Sequence, residues 1–199
     1  MTLTFVRHGE TDWNRERRFQ GQSDIPLNGQ GRLQARAVAR ALARETFDSV
    51  VSSDLVRAME TARAVRTATP VKADPRWREF AFGEWEGLTW EQILQRWPER
   101  AAQGAASARS YAPPGGETFD QVRERVGEAL DEMRASGVQN ALIVTHAGPL
   151  HAMLHHLFSD PQADTQELLA VRFTPASITR VRLEPDGNEL LLLNDVSHL

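Results

Sequence analysis

Basic and imidazole side chains follow three separate apolar segments of the sequence. Arg7 and His8 come directly after the first segment, Arg57 lies shortly after the second, and His146 follows the run NALIVT. If these segments are neighbouring parallel strands, their carboxyl ends meet at one edge of the sheet, where open α/β sheets bind ligands. Arginine side chains and helix N-termini both bind anions. The pattern therefore favours a site for an anion, and phosphate fits it best.

Each of these residues also has an ordinary structural explanation. Arg7 alone fits a surface arginine, and either histidine alone fits a partly buried residue without a catalytic role. Arg57 could pair with Glu60 or Asp54 on its own helix. The combination favours a ligand, because cationic and imidazole groups gathered at one edge of a sheet are costly without an anion.

Strand-like and helix-like segments alternate along the chain, which predicts how these residues are positioned. The predicted strands are residues 2–7, 47–53, 70–74, 140–145, 170–174, 177–183 and 189–194. The predicted helices are residues 30–45, 55–65 with Asp54 as N-cap, 117–136, and a helix that begins at Pro149 and runs to about 158. We expect an α/β fold, a three-layer α/β/α sandwich, in which a mostly parallel mixed sheet carries helices on both faces.

The length of 199 residues suits one domain over residues 1–199. Residues 76–115 interrupt the alternation, contain four of the five tryptophans and end in Pro113-Pro114-Gly115-Gly116. We interpret them as a small insertion over the active site that covers the substrate. Its aromatic residues could wall the pocket or only anchor the insertion to the sheet, and anchoring is the favoured interpretation for Trp77 and Trp97. The residues in question are Phe80, Phe82, Trp85, Trp90, Trp97 and Tyr111, and the role of Trp13 is also open.

The composition excludes several classes of protein. The formal net charge of −4 argues against a nucleic-acid partner, and the absence of cysteine excludes disulfides and cysteine-based zinc sites. No apolar run approaches about 20 residues, and the N-terminus has no secretory pattern, so we expect a cytoplasmic protein without a membrane partner. His151, His155 and His156 lack the flanking carboxylate of a metalloprotease motif. We predict neither a metal nor a cofactor.

Five motifs of the sequence resemble those of the histidine phosphatase superfamily, which includes the cofactor-dependent phosphoglycerate mutases. The resemblance runs from residue 3 to about residue 150. The motifs are RHGETDWN (7–14), QGQSDIPLNGQG (20–31), VVSSDLVRAMETA (50–62), EFAFGEWEG (79–87) and VTHAG (144–148).

The resemblance implies a role for each matching residue. His8 would be the nucleophile that becomes a phosphohistidine, and Glu79 would be the acid and base. Without the resemblance, a surface ion pair of Glu79 with Arg76 or Arg78 would be the better interpretation. The residues expected to hold the phosphoryl group or the substrate are Arg7, Asn14, Gln20, Gly21, Arg57, His146, Ala147 and Gly148. Of the two acids near His8, we expect Glu10 to brace an arginine and Asp12 to lie in solvent.

The branch of the family is indicated by residues 78–94, which lack the histidine and the lysine that mutases usually carry there. PPGGETF (113–119) resembles the phosphatase branch. We expect metal-independent hydrolysis of a small phosphomonoester by a monomer or homodimer. The alternatives are a phosphoglycerate mutase, a sugar bisphosphatase, a protein phosphatase or a non-catalytic protein that binds phosphorylated ligands. Ribazole phosphate, a sugar phosphate, a nucleotide and broad specificity all remain open.

Overall fold

A six-stranded mixed sheet forms the centre of the molecule. The computed structural model describes residues 1–65, 67–106, 111–158 and 171–199, with the side chains of 103–106 left out. The strands are β1 (Thr2–Arg7), β2 (Ser49–Ser52), β3 (Val71–Ala73), β4 (Asn140–Thr145), β5 (Ile178–Glu184) and β6 (Gly187–Asp195). Their order is β3-β2-β4-β1-β5-β6, in which the first four strands are parallel and the last two are antiparallel.

Helices cover both faces of this sheet. They are α1 (Asp12–Arg15), α2 (Gly29–Ala41), α3 (Val56–Ala64), α4 (Trp90–Arg96), α5 (Pro98–Ala106), α6 (Phe119–Ala135) and α7 (Ala147–Phe158). Since side chains alternate across a strand, Phe5 packs with α6 and α7, whereas Val6 packs with α2 and α3. Ile143 and Leu142 of β4 divide in the same way. The predicted three-layer sandwich is confirmed.

The strand register brings the polar strand ends together. Arg7 at the end of β1 pairs with Thr145 of β4, and Ser52 at the end of β2 pairs with Val144. The ladder continues one step beyond β1, because the His8 N–H donates to the Thr145 carbonyl at 2.9 Å. The three segments therefore end at one edge, as their sequence predicts.

The segment 76–115 packs through two hydrophobic clusters. Trp77 is fully buried in the core of the sheet, where its ring lies 5.7 Å from that of Phe5. Trp77 thus anchors the segment to the sheet, as expected. Trp97 instead joins a separate cluster built on Trp85 and Ile93, together with Tyr111. Whether this segment covers a substrate stays a prediction.

Two local predictions are wrong. Residues 171–174 form no strand, because the Thr174 N–H and the Arg172 carbonyl bond to the side chain of Asn194 instead of a ladder. Asp54 is not the N-cap of α3, since Leu55 takes that position and the Asp54 carboxylate binds Arg78 at 2.6 and 2.7 Å. Residue 170 lies outside the described residues.

Two further ends of helices differ from the prediction. Helix α7 begins at Ala147, two residues before Pro149, and α2 ends at Ala41. Of the helices in the described ranges, none is long and apolar enough to cross a membrane.

Candidate active site

Two buried histidines lie side by side at the carboxyl edge of the sheet. His8 is 1% exposed and His146 is fully buried, and their ring centroids are 4.9 Å apart. His8 follows β1 and His146 follows β4, so the pairing of these parallel strands fixes the distance between the rings. This arrangement brings together two of the predicted site residues.

The hydrogen bond of His8 defines its tautomer. Its Nδ1 lies 2.7 Å from the carbonyl oxygen of Gly9, which can only accept. Nδ1 therefore carries the proton, and Nε2 keeps a free lone pair. Burial lowers the pKa of His8 well below its ordinary value, and the nearby charges of Arg57 and Arg7 lower that pKa further. His8 is neutral at pH 7, as a nucleophile must be.

His146 has the opposite tautomer. The Arg57 Nε donates to its Nδ1 at 3.2 Å, so the proton is on Nε2, which donates to the Ser53 hydroxyl at 2.8 Å. Burial and the charge of Arg57 hold the pKa of His146 well below its ordinary value. Both ring nitrogens are thus engaged within the protein.

Arg57 is a fully buried guanidinium held by backbone carbonyls. Its Nη1 donates to the Ser23 carbonyl at 2.8 Å, and its Nη2 donates to that of Gly21 at 2.6 Å. Burial lowers the pKa of Arg57 to about 10. The ion pairs with Glu60 or Asp54 do not form. Three of its five N–H groups are used in these bonds, and the other two have no acceptor among the described residues.

Arg7 provides a second cation beside His8. One Nη1 hydrogen donates to the Phe173 carbonyl at 2.5 Å, and the buried Nε has no hydrogen-bond partner among the described residues. Burial lowers the pKa of Arg7, and the charge of Glu79 opposes that shift. An unpaired buried N–H is costly, so this atom is suited to an anionic ligand.

Glu79 lies inside the site and not in a surface ion pair. It is 9% exposed, and its Oε1 accepts from the backbone N–H groups of Phe80 at 2.8 Å and Gly148 at 2.9 Å. Arg76 and Arg78 pair with Asp74 and Asp54 instead. The N–H of Gly148, expected to bind phosphate, therefore positions Glu79, while Ala147 begins α7 beside it.

Three predicted residues line the approach to these groups. The side-chain oxygen of Asn14 accepts from Thr11, and that of Gln20 accepts from the Thr11 hydroxyl at 2.9 Å. Both amides thus turn their oxygens inward and keep their NH₂ groups as donors. Gly21 has φ +54, and a Cβ there would lie 2.0 Å from the carboxylate of Glu86. Glycine is required at this point of the loop.

Five of the residues described above line one cavity of about 280 Å³: Arg7, Asn14, Gln20, Gly21 and Glu79. Phe82 is one of the aromatic residues expected to wall the pocket, and it lines this cavity. Trp13 also lines the cavity, and its ring packs near Gly87. Trp85 and Tyr111 lie in the cluster behind the cavity, and Trp90 is 40% exposed. The lining residues are Arg7, Trp13, Asn14, Arg17, Arg18, Phe19, Gln20, Gly21, Glu79 and Phe82.

Glu86 is a site residue that the sequence analysis did not identify. Its Oε1 accepts from the N–H groups of Gln22 at 3.0 Å and Phe82 at 3.1 Å, and its Oε2 accepts from the N–H and hydroxyl of Ser23 at 2.9 and 2.6 Å. It therefore fixes the loop whose carbonyls hold Arg57. The only signal in the sequence is an acid inside the motif EFAFGEWEG.

Arg125 and Glu117 were also missed. Arg125 donates to the backbone carbonyls of Arg78 at 2.8 Å and Glu79 at 3.1 Å and forms an ion pair with Glu117. Glu117 in turn accepts from the Ala81 N–H at 2.9 Å. Together they hold the backbone on both sides of Glu79.

The two acids near His8 have different outcomes. Glu10 does not brace an arginine, because its carboxylate accepts from the Asn28 side chain at 2.8 Å. Asp12 is exposed and pairs with Arg15, as expected for a residue in solvent. Within the described ranges, no group of three or more His, Cys, Asp or Glu side chains could hold a metal ion.

The neutral state of His8 predicts how stability depends on pH. Its pKa in the folded state lies below the value of about 6.5 in an unfolded chain, so the unfolded state binds more protons between these two values. The free energy of unfolding therefore decreases as the pH falls below about 6.5. For His8→Gln, urea unfolding should give a pH slope in this window that is smaller by up to about 1.4 kcal/mol per pH unit.

The control is His156→Gln, which replaces an exposed histidine of α7 and should keep the slope of the original protein. An unchanged slope in His8→Gln would contradict the neutral state of His8.

Comparison with known proteins supports the same assignment. The sequence model of the histidine phosphatase superfamily (branch 1) matches residues 3–196. The chain is 34% identical over 203 residues to a metal-independent phosphoserine phosphatase of Arabidopsis thaliana, covering 99% of this chain and 82% of that protein. It is 30% identical over 200 residues to phosphoserine phosphatase 1 of Hydrogenobacter thermophilus, covering 99% and 93%.

Solved structures give the same result at the level of the fold. The α-ribazole phosphatase of Shigella flexneri superposes with a TM-score of 0.89 at 28% identity, covering 98% of this chain and 96% of that one. Both the sequence and the fold match over nearly the full length. The chain belongs to the histidine phosphatase superfamily.

Proposed function

We propose that the protein hydrolyses small phosphomonoesters through a phosphohistidine on His8, without a metal ion. The observation that carries the proposal is the free Nε2 of a neutral, buried His8 beside Arg7 and Arg57, whose charges Glu79 in turn faces. The relatives described above are named as phosphatases, and one of them as metal-independent. A cytoplasmic location and a monomeric or homodimeric state stay predictions.

In the first step, the Nε2 lone pair of His8 attacks phosphorus, and the bond to the ester oxygen breaks. The leaving oxygen takes a proton from Glu79, so the alcohol departs neutral. Arg7, Arg57 and the amide groups of Asn14 and Gln20 stabilise the phosphoryl oxygens. Such donors, fixed before the reaction, supply most of the stabilisation in phosphoryl transfer.

In the second step, water attacks the phosphohistidine. Glu79, now a carboxylate, takes a proton from this water, and the bond between nitrogen and phosphorus breaks. Inorganic phosphate leaves, and His8 returns to its neutral form. The Oε1 of Glu79 stays bonded to the N–H of Gly148, so its Oε2 is the oxygen that exchanges the proton.

His146 needs a small adjustment to contact the phosphoryl group. Its Nε2 proton is donated to Ser53, so a contact with phosphate would share or exchange this bond. His146 also orients the guanidinium of Arg57, because its Nδ1 accepts a hydrogen bond from the Arg57 Nε. We therefore assign His146 both a phosphate contact and the positioning of Arg57.

The other functions considered from the sequence are less well supported. A binding protein without activity would have no use for His8, Glu79 and His146 together, and all three lie in the site. Residues 78–94 lack the histidine and lysine expected of a mutase. A slow hydrolysis of 3-phosphoglycerate with rapid transfer from its bisphosphate would indicate a mutase instead.

The phosphohistidine can be detected directly. The protein is mixed with a chromogenic aryl phosphate, and the reaction is stopped rapidly with alkali. We expect mass spectrometry of the stopped reaction to locate phosphate on His8. Because His8 keeps the lone pair of its Nε2 while both ring nitrogens of His146 are engaged, His8→Ala should form no phosphoenzyme. Phosphate on His146 would refute the assignment.

Removal of a phosphate-binding arginine should impair catalysis. We expect Arg7→Ala to lower kcat/KM for an aryl phosphate by about 10²-fold or more, because its unpaired Nε and remaining hydrogens would contact charge that develops in the transition state. Arg100→Ala, which changes an exposed arginine of α5, should stay within about twofold. Equal losses in both variants would contradict the role of Arg7.

Glu86 should act by positioning Arg57. Glu86→Gln keeps the shape but replaces two acceptor positions by an NH₂ group, which would face backbone N–H donors. We expect kcat/KM to fall about 10- to 100-fold as the loop of Gly21 and Ser23 shifts. Glu84→Gln, an exposed neighbour, is the control and should behave as the original protein. If both kcat/KM and the pKa of Arg57 are unchanged in Glu86→Gln, Glu86 does not position Arg57.

A further inference from the structure

Arg17 is an exposed residue in the wall of the cavity that Arg7 and Glu79 also line. It belongs to the turn after α1, whereas Arg7 ends β1 and Glu79 belongs to the segment 76–115. The cavity therefore combines a phosphate-binding end on the sheet with a cation from a separate segment. None of the proposed catalytic steps uses Arg17.

The backbone of Arg17 adopts a conformation that arginine disfavours. Its φ is +55, in the left-handed region. The turn explains the conformation, because the Arg17 N–H donates to the Asn14 carbonyl at 3.1 Å and the Arg18 N–H donates to that of Trp13 at 2.9 Å. These two bonds form a Schellman motif, whose left-handed position is usually glycine or asparagine. The turn requires the conformation, but it does not require an arginine.

Of the other charged groups of the cavity wall, Arg7 is assigned to the phosphoryl group, and Arg18 and Glu79 are already paired. Arg18 binds Glu16 at 2.6 Å and the carbonyl of Gly87 at 2.7 Å, and Glu79 is held by two N–H groups. Arg17 forms no hydrogen bond or ion pair with another side chain in the part of the chain that the structure describes. An arginine placed against backbone preference in the wall of a binding cavity is a candidate for ligand recognition.

We infer that Arg17 binds a second anionic group of the substrate, a carboxylate or a second phosphate. The inference rests on the proposed phosphatase function and names its substrate class, which is a small phosphomonoester with a further negative charge. Trp13, Phe19 and Phe82 supply the apolar wall for the carbon atoms between the two anions. A cavity of about 280 Å³ suits a small metabolite, because it is at the lower end of the range of small-molecule sites.

The test compares inhibitors that differ by one anionic group. Inhibition of aryl phosphate hydrolysis is measured with 3-phosphoglycerate and glycerol 3-phosphate, which differ by a carboxylate. A second pair, fructose 1,6-bisphosphate and fructose 6-phosphate, differs by a phosphate. The original protein should bind the more anionic member of at least one pair more tightly, and the pair concerned identifies the anion.

The decisive variant is Arg17→Gly, because glycine accepts a φ of +55 and the variant should unfold at no lower temperature than the original protein. We expect the ratio of inhibition constants within the preferred pair to fall about two- to fivefold, as an exposed charge pair allows. Arg17→Lys should retain part of the preference. Arg15→Gln, an exposed arginine of α1 paired with Asp12, should leave the ratio unchanged.

Three outcomes would overturn the inference. These are equal inhibition by both members of both pairs, a ratio that is unaffected by Arg17→Gly, and an equal fall in Arg15→Gln. If the original protein hydrolyses the aryl phosphate but one of these three outcomes is found, the phosphatase function stands and only the role of Arg17 fails. If it is not hydrolysed, the proposed function fails and the inference fails with it.

Discussion

The candidate active site depends on how one buried guanidinium is satisfied. Arg57 is removed from water completely, and a buried charge without partners is strongly destabilising. The carbonyls of Gly21 and Ser23 and the ring of His146 provide these partners. The loop must present its carbonyls inward, which requires the left-handed glycine at position 21 and the carboxylate of Glu86 behind it. One cation thus determines the conformation of the loop, the tautomer of His146 and the position of an acid from the segment 76–115.

The parts of the fold that the sequence predicts are those set by local patterns. Strands β1 and β4 begin and end where their apolar runs do, and the polar residues that follow them meet at one edge because parallel strands share a direction. The failures come from contacts between distant segments. Asp54 has the chemistry of an N-cap, but Arg78 competes for its carboxylate. Residues 171–174 have the composition of a strand, but Asn194 takes their backbone bonds.

The same limit applies to the site. His8 and His146 could be predicted because each follows a strand, and the resemblance to the family supplied Glu79. Glu86 and Arg125 could not be predicted, because their partners are backbone groups about 45 to 65 residues away and backbone groups leave no trace in composition. The aromatic residues show the limit most clearly, since an insertion rich in tryptophan predicts a wall, whereas Trp85 packs into its own cluster.

The groups proposed for phosphoryl transfer and the rest of the cavity wall are held in place by different parts of the structure. The groups proposed for phosphoryl transfer are fixed by the sheet edge and by backbone bonds, so their positions cannot change without loss of the site. The wall beside them is supplied largely by Trp13, Arg17, Arg18 and Phe19, which belong to a short helix and the turn after it and contribute little to the core. Substitutions there change the cavity without disturbing Arg57 or either histidine. The preference of the site for a substrate can therefore be changed at this turn, where the cost of a new side chain is small.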